Sequence, residues 1–163
     1  MVDKYIVDTK SFIKSHIDHD TITDDKIFLN IYNNNVDIPF HKFWFCLDNI
    51  KYTNMYDEYK TIRFALNNNN KKTTNLLSYI SDLLTYVSDI IQNHTPYTDI
   101  SIVHPWKKST NYPTLLRTSC SDDIIYIDHN KNDLPITDLN SSSVYSILFE
   151  LSYIYIKKHS DAK

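Results

Sequence analysis

Glycine is absent from this chain of 163 residues, although about 7% would be usual for a globular protein. Glycine lets the backbone take positive φ angles or approach a phosphate group closely. The Walker phosphate loop, the Rossmann fingerprint, the kinase glycine-rich loop and the G-x-S-x-G nucleophile elbow all require glycine at fixed positions. The sequence therefore excludes all four of these motifs.

Cysteine and long apolar runs are also scarce. Cys46 and Cys120 are far apart in the sequence and form no CxxC pair, and two thiols cannot build a secreted-type disulfide framework. Charges within residues 1–10 argue against a signal peptide. No stretch approaches the ~18 apolar residues of a membrane span. We therefore expect a soluble, reduced, intracellular protein, located in the cytoplasm or at a viral or plasmid replication site.

The composition points to the type of genome that encodes the chain. Ala and Arg are rare, whereas Ile, Asn, Lys, Tyr and Asp are abundant. Codons for Gly, Ala, Pro and many for Arg are GC-rich, while those for Ile, Asn, Lys and Tyr are AT-rich. This bias indicates a very AT-rich genome, and organellar, parasite, viral and plasmid genomes are all candidates.

Hydrophobic periodicity predicts a mainly β fold with one central helix. An apolar stripe from Leu76 to Ile91 repeats every 3.6 residues, which predicts a helix over residues 74–92. Alternating apolar residues predict strands over residues 26–33, 39–47 (resuming at 50–53), 60–66, 99–103, 114–119, 124–128 and 144–155.

This order of elements is that of an OB-fold, a partly open antiparallel Greek-key barrel, although a half-open sandwich with one covering helix fits nearly as well. The length suits a single domain. We therefore expect one OB-like domain over residues 1–163. Residues 1–25 would form an N-terminal extension, with a short strand at residues 5–7 and a helical turn near residues 9–16.

Candidate catalytic and metal-binding groups lack the spacings that their chemistry needs. His16 and His19 lie close to several aspartates, but no HExxH sequence or calcium-loop spacing is present. Cys120 could meet His104 or His129 in space, yet nothing in the spacing brings them together. We therefore predict no catalytic residues, no metal and no cofactor, and expect that the protein is not an enzyme.

The net charge of −3 conceals one basic and one acidic part of the chain. Residues 42–81 carry six cations against three acids, and residues 104–117 carry three cations and no acid. Residues 119–150 carry six acids against Lys131. Aromatic residues are interleaved with the cations at residues 41–45, 51–52 and 106–108. Proteins that bind single-stranded nucleic acid need both groups, because aromatic rings stack on the bases while Lys and Arg contact the phosphates.

These stretches predict a groove for single-stranded nucleic acid. One wall would carry Trp106, Lys107, Lys108, Tyr112 and Arg117, and the other Lys51, Tyr52 and Arg63. The residues around Trp106 indicate a loop, which would expose its ring. Trp44 is left open between core and binding surface, because it alternates with Phe43 and Phe45.

Residues 112–117 (Tyr-Pro-Thr-Leu-Leu-Arg), the apolar residues 124–128 and the serines 141–143 before the last strand resemble the C-terminal half of phage-T7-like single-stranded DNA-binding proteins. Relatives occur in large DNA viruses, and comparable small binding proteins occur in AT-rich linear plasmids of yeasts. The resemblance covers residues 101–155 and implies an OB-fold with a basic, aromatic groove. Members usually have glycine where these serines stand, and many end in an acidic tail that contacts replication partners, whereas residues 157–163 are mainly basic.

We therefore expect a single-stranded DNA-binding protein of a viral or linear-plasmid replication system. Its partners would be single-stranded DNA or RNA, other copies of the chain and replication proteins, with no membrane. The alternative is a non-enzymatic protein–protein interaction or virion component of an AT-rich virus, in which aromatic strands form the partner surface.

Overall fold

The computed structural model describes residues 6–10, 12–14, 17–23, 25–31, 44–56, 61–94, 100–108, 110–119, 128, 130, 132–133, 135–151 and 153–158. The helix α1 (Lys71–His94) and a short 3-10 helix (Ile136–Asp138) lie among strands. The strands are β1 (Ile17–Ile22), β2 (Lys26–Ile31), β3 (Trp44–Tyr56), β4 (Thr61–Ala65), β5 (Ile100–Ile102), β6 (Trp106–Lys107), β7 (Leu115–Ser119), β8 (Val144–Glu150) and β9 (Tyr153–Lys158). The predicted mainly β class with one helix is confirmed.

The strands form two antiparallel sheets. One has the order β1-β2-β9-β5 and the other has the order β6-β7-β4-β3-β8. Over the described residues, these strands do not close into a barrel. The OB-fold therefore stays a prediction.

The chain divides into two compact units, each assembled from segments that are distant in the sequence. Unit 1 comprises Met1–Cys46, Lys71–His104 and Leu148–Lys163, and unit 2 comprises Leu47–Asn70 and Pro105–Ile147. Unit 1 holds the four-stranded sheet and α1, whereas unit 2 holds β4, β6 and β7. Strands β3 and β8 each contribute residues to both units.

The core of unit 1 is built on one side of α1. The buried side chains on this side follow the 3.6-residue period that the sequence predicted: Leu76, Ile80, Leu83, Val87 and Ile91. The rings of Phe12 and Phe45 pack against Tyr79, with centroid distances of 5.4 Å and 5.7 Å. Burial raises the pKa of Tyr79 to about 12, because the phenolate would be poorly solvated there.

The four-stranded sheet turns isoleucines and leucines to its covered side. Ile27 pairs with Ile154 across β2 and β9, and Ile17, Leu29 and Ile156 are also buried. Strand β1 was not predicted, because residues 17–22 (Ile-Asp-His-Asp-Thr-Ile) are apolar only at their two ends. Part of the stretch expected as an N-terminal extension is thus a strand at the end of this sheet.

Two predicted strand boundaries are wrong. The single strand expected over residues 144–155 is two strands, β8 and β9, which belong to different sheets. The break expected at Asp48-Asn49 does not occur: strand β3 is continuous, although Asn49 within it takes a φ angle of 57°. Asn tolerates this left-handed conformation better than most residues do, and it occupies a position that would often be glycine in other proteins. Residues 32–33, 39–43, 60, 99, 124–127 and 152 of the predicted strands lie outside the described residues.

Candidate nucleic-acid interface

Four of the predicted binding residues lie on neighbouring strands of unit 2, namely Lys51 on β3, Arg63 on β4, Arg117 on β7 and Lys107 on β6. Arg63 is directly opposite Arg117. Two residues from the Arg63–Arg117 pair, a second row of paired residues crosses the four strands. In this row Lys51 pairs with Ala65, Ala65 with Leu115, and Leu115 with Lys107. This row crosses three inter-strand spacings, which is roughly 14 Å at about 4.8 Å each.

Strand alternation sends these four cations to the same side of the sheet. On β4, Ile62 and Phe64 are buried while Arg63 between them is half-buried. On β7, Leu116 is buried and Arg117 is exposed, and both Lys51 and Lys107 are exposed. We call this side, with Lys51, Arg63, Lys107 and Arg117, the cationic face.

The cationic face is suited to a polyanion. The residues paired across β3, β4, β7 and β6 include no Asp or Glu. Two like charges stand directly opposite each other where Arg63 pairs with Arg117, so positive charge is concentrated at this point of the face. Arg also presents a planar fork of donors that matches the oxygens of a phosphate group.

Trp106 corrects the sequence prediction. The expected loop is wrong, because Trp106 lies in β6, opposite Leu116, and is only 9% exposed. The Arg117 amide donates a hydrogen bond to the carbonyl of Pro105 at 2.9 Å, which holds this short strand in place. The Trp106 ring therefore belongs to the covered side of the sheet. The Nζ atom of Lys108 is 6.0 Å from the centroid of this ring.

Tyr52 is also on the covered side, opposite Phe64, with a centroid distance of 6.5 Å between the rings. Tyr112 is different: it lies in the loop between β6 and β7 and is 74% exposed. The eight predicted residues thus do not line two walls of a groove. Four form the cationic face, and Tyr112 provides the one open ring among them.

Sequence reasoning missed one polar residue of this face. Asn54 lies on β3 opposite Arg63, next to a bulge between Tyr52 and Asn54 that shifts the register by one residue. Its Oδ1 atom is buried, and no hydrogen-bond partner for it exists among the described residues. The sequence holds no signal for this placement, because the bulge decides which residue of β3 faces the cations.

Two polar turns of unit 2 form without glycine. The Asp128 carboxylate accepts hydrogen bonds from the amides of Asn130 and Asn132 at 2.8 Å and 2.9 Å. The Asn140 side chain likewise accepts hydrogen bonds from the amides of Ser142 and Ser143. Asp128 thus acts as a turn residue, although residue 128 was expected at the end of a strand, and the Asn140 side chain caps the turn at Ser142 and Ser143.

Among the described residues, no group of three His, Cys, Asp or Glu side chains is placed to hold a metal ion. None of the described helices is long and apolar enough to cross a membrane. The chain matches no protein-family model, no curated protein and no solved structure.

Proposed function

We propose that this protein binds single-stranded DNA and that the cationic face of unit 2 contacts the phosphate backbone. The observation that carries this proposal is that Lys51, Arg63, Lys107 and Arg117 share one side of four neighbouring strands, and that the described pairs between β3 and β4, β4 and β7, and β7 and β6 include no carboxylate. Lys and Arg contacts to phosphates release counterions and supply most of the affinity of sequence-independent binding.

A single strand fits this surface better than a duplex. Proteins usually read a duplex with a helix or a β-ribbon inserted into the major groove. The exposed side of α1 carries Asp82 and Asp89, which would be repelled by the phosphates that border a groove. A sheet face offers a phosphate track, and the exposed ring of Tyr112 in the loop that joins β6 to β7 offers a stacking partner for an unpaired base.

The biological setting that we propose is strand coating during replication of a virus or a linear plasmid. The AT-rich composition supports this setting, as does the resemblance to phage-T7-like single-stranded DNA-binding proteins. The resembling segment includes Arg117, which lies on the cationic face, and the exposed Tyr112 in the preceding loop. An OB-like relationship of the strands belongs to the same proposal.

The test is a fluorescence-anisotropy titration of the protein with labelled oligo-dT at several salt concentrations. For a single strand, the logarithm of the binding constant falls with the logarithm of salt concentration by about 0.7 per phosphate contact. The double variant Lys107→Gln, Arg117→Gln removes two cations and keeps the side-chain stems. We expect weaker binding and a salt slope that is shallower by about 1.4.

The matched control is Lys10→Gln, Lys71→Gln, which removes the same charge from two exposed positions of unit 1. Its salt slope should stay within error of that of the wild-type protein. No binding of oligo-dT at low salt would refute the proposal and favour a protein–protein interaction component. An equal loss in both double variants would show that net charge, rather than the cationic face, decides binding.

A further inference from the structure

The outer side of β2 and β9 in unit 1 carries a second set of rings and cations. Phe28 pairs with Tyr153 and Lys26 pairs with Tyr155 across the two strands, and Lys157 follows two residues later on β9. Side chains two residues apart on a strand point to the same side, so all five belong together. We call this surface the tyrosine face.

The rings of the tyrosine face touch one another, and Tyr155 is exposed while Phe28 and Tyr153 are half-buried. The Tyr153 and Tyr155 rings meet edge to face with centroids 5.0 Å apart, and Phe28 lies 5.8 Å from Tyr153. Tyr155 is 44% exposed, whereas its strand neighbours Ile154 and Ile156 are buried on the other side. The isoleucines therefore supply the core of this sheet, and the core does not require the tyrosine rings.

Polar groups are interleaved with these rings. Lys26 holds its Nζ atom 5.0 Å and 5.3 Å from the centroids of Tyr153 and Tyr155, and the two phenol oxygens are 3.3 Å apart. The hydrogen bond to Tyr155, together with burial, raises the pKa of Tyr153 above its ordinary value. Of the described carboxylates, Asp25 lies just before β2 and is close enough to act on Tyr153, and Asp18 lies on β1 opposite Asn30 of β2.

We infer that the tyrosine face is a base-stacking site for single-stranded nucleic acid, a site that deepens and rests on the proposed strand-binding function. Every base has a π-face that can stack on an open aromatic ring, and Lys26 and Lys157 match the negative phosphates that flank a stacked base. The centres of protein interfaces are depleted in lysine, but here the Lys26 ammonium lies close to both tyrosine rings and Lys157 follows on the same side of β9. The chemistry therefore favours a base over an apolar partner surface.

The experiment compares two probes of equal length, oligo-dT and an abasic oligonucleotide with the same number of phosphates. Tyr155→Leu keeps apolar bulk on the strand but removes the π-face. We expect this variant to bind oligo-dT roughly 5- to 150-fold more weakly, as loss of one stacked base predicts. Its binding of the abasic probe and its salt slope should not change, because no phosphate contact is removed.

The controls separate stacking from folding and from the proposed function itself. Tyr155→Phe retains the ring and should bind oligo-dT as the wild-type protein does. Lys107→Gln, Arg117→Gln should weaken both probes alike. If neither probe binds the wild-type protein, the proposed function fails. If the cationic-face variants behave as expected while Tyr155→Leu still binds oligo-dT normally, the inference about the tyrosine face alone fails.

A second measurement needs no variant. Wild-type protein is irradiated with an oligonucleotide that carries 5-iodouracil, whose photoproduct couples to a stacked aromatic ring, and the cross-linked peptide is identified by mass spectrometry. We expect the cross-link in the peptide that holds Tyr153 and Tyr155. Cross-links confined to other peptides, such as the one that holds Tyr112, would overturn the inference.

Discussion

The two units present rings and cations in opposite ways. In unit 2, Trp106 and Lys107 are consecutive residues of β6, and the strand sends the ring to the covered side and the cation to the cationic face. In unit 1, Tyr153, Tyr155 and Lys157 are two residues apart on β9, and all three lie on the tyrosine face. In a strand, an aromatic residue and a cation that are consecutive in the sequence point to opposite faces of the sheet. An aromatic residue and a cation that are two residues apart point to the same face.

This difference assigns different roles to the aromatic residues of the two units. Trp106 holds unit 2 together, so its loss should change the free energy of unfolding. Tyr155 is largely exposed over a core of isoleucines, so its loss should change binding. The following substitutions test these roles, in order of expected effect.

Trp106→Ala should have the largest effect. Removing a buried Trp side chain typically costs about 3–5 kcal/mol through lost burial and the cavity that remains. Urea denaturation of wild-type and variant protein measures this free energy. Tyr112→Ala, which removes an exposed ring of the same unit, should change it by less than about 0.5 kcal/mol. A stable Trp106→Ala protein that has lost only DNA affinity would reverse the roles assigned here.

Leu83→Ala tests whether the core of unit 1 depends on α1. Leu83 is fully buried on the apolar side of the helix. We expect a loss of about 2–5 kcal/mol in the free energy of unfolding, again measured with urea. Thr85→Ala on the exposed side of α1 is the control and should be nearly neutral. A loss below about 1 kcal/mol at Leu83 would mean that the helix contributes little to this core.

Tyr79→Phe gives the smallest effect, and only at high pH. The pKa of Tyr79 is about 12 in the folded protein, against 10.0 for the ordinary phenol. Its neutral form stabilises the fold below pH 10, and this contribution is lost as the pH rises from 10 towards 12, because the unfolded chain ionises first. Thermal melts across this range should show less destabilisation for Tyr79→Phe than for wild type. Tyr112→Phe should follow the wild-type curve.

Periodicity predicted α1 and most of the strands, including the three-residue β5, but it missed β1 and β6 and merged β8 with β9. The stripe from Leu76 to Ile91 predicted α1, which begins three residues earlier and ends two later than expected. Strand β6 has two residues, too few for any alternation to be visible. In β9, tyrosines alternate with isoleucines, and because both are apolar the sequence alone does not say which set is covered.

The candidate site was predictable as a set of charges but not as a surface. The acid-free stretch of residues 104–117 identified Lys107 and Arg117, and the register of β7 with β4 then places Arg117 opposite Arg63. That register depends on contacts between residues far apart in the chain. The exposed fraction of the Trp44 side chain, 39%, also depends on tertiary packing.

The place of β9 in its sheet has a consequence for synthesis on the ribosome. β9 is the last described strand in the chain, yet it pairs with both β2 and β5 and stands between them. The nascent chain therefore carries β2 with one edge unpaired until the final strand emerges, on the order of ten seconds later at ordinary elongation rates. Unpaired strand edges invite pairing with other chains, so newly made copies of this protein should depend on chaperones more than a protein of this size with local contacts.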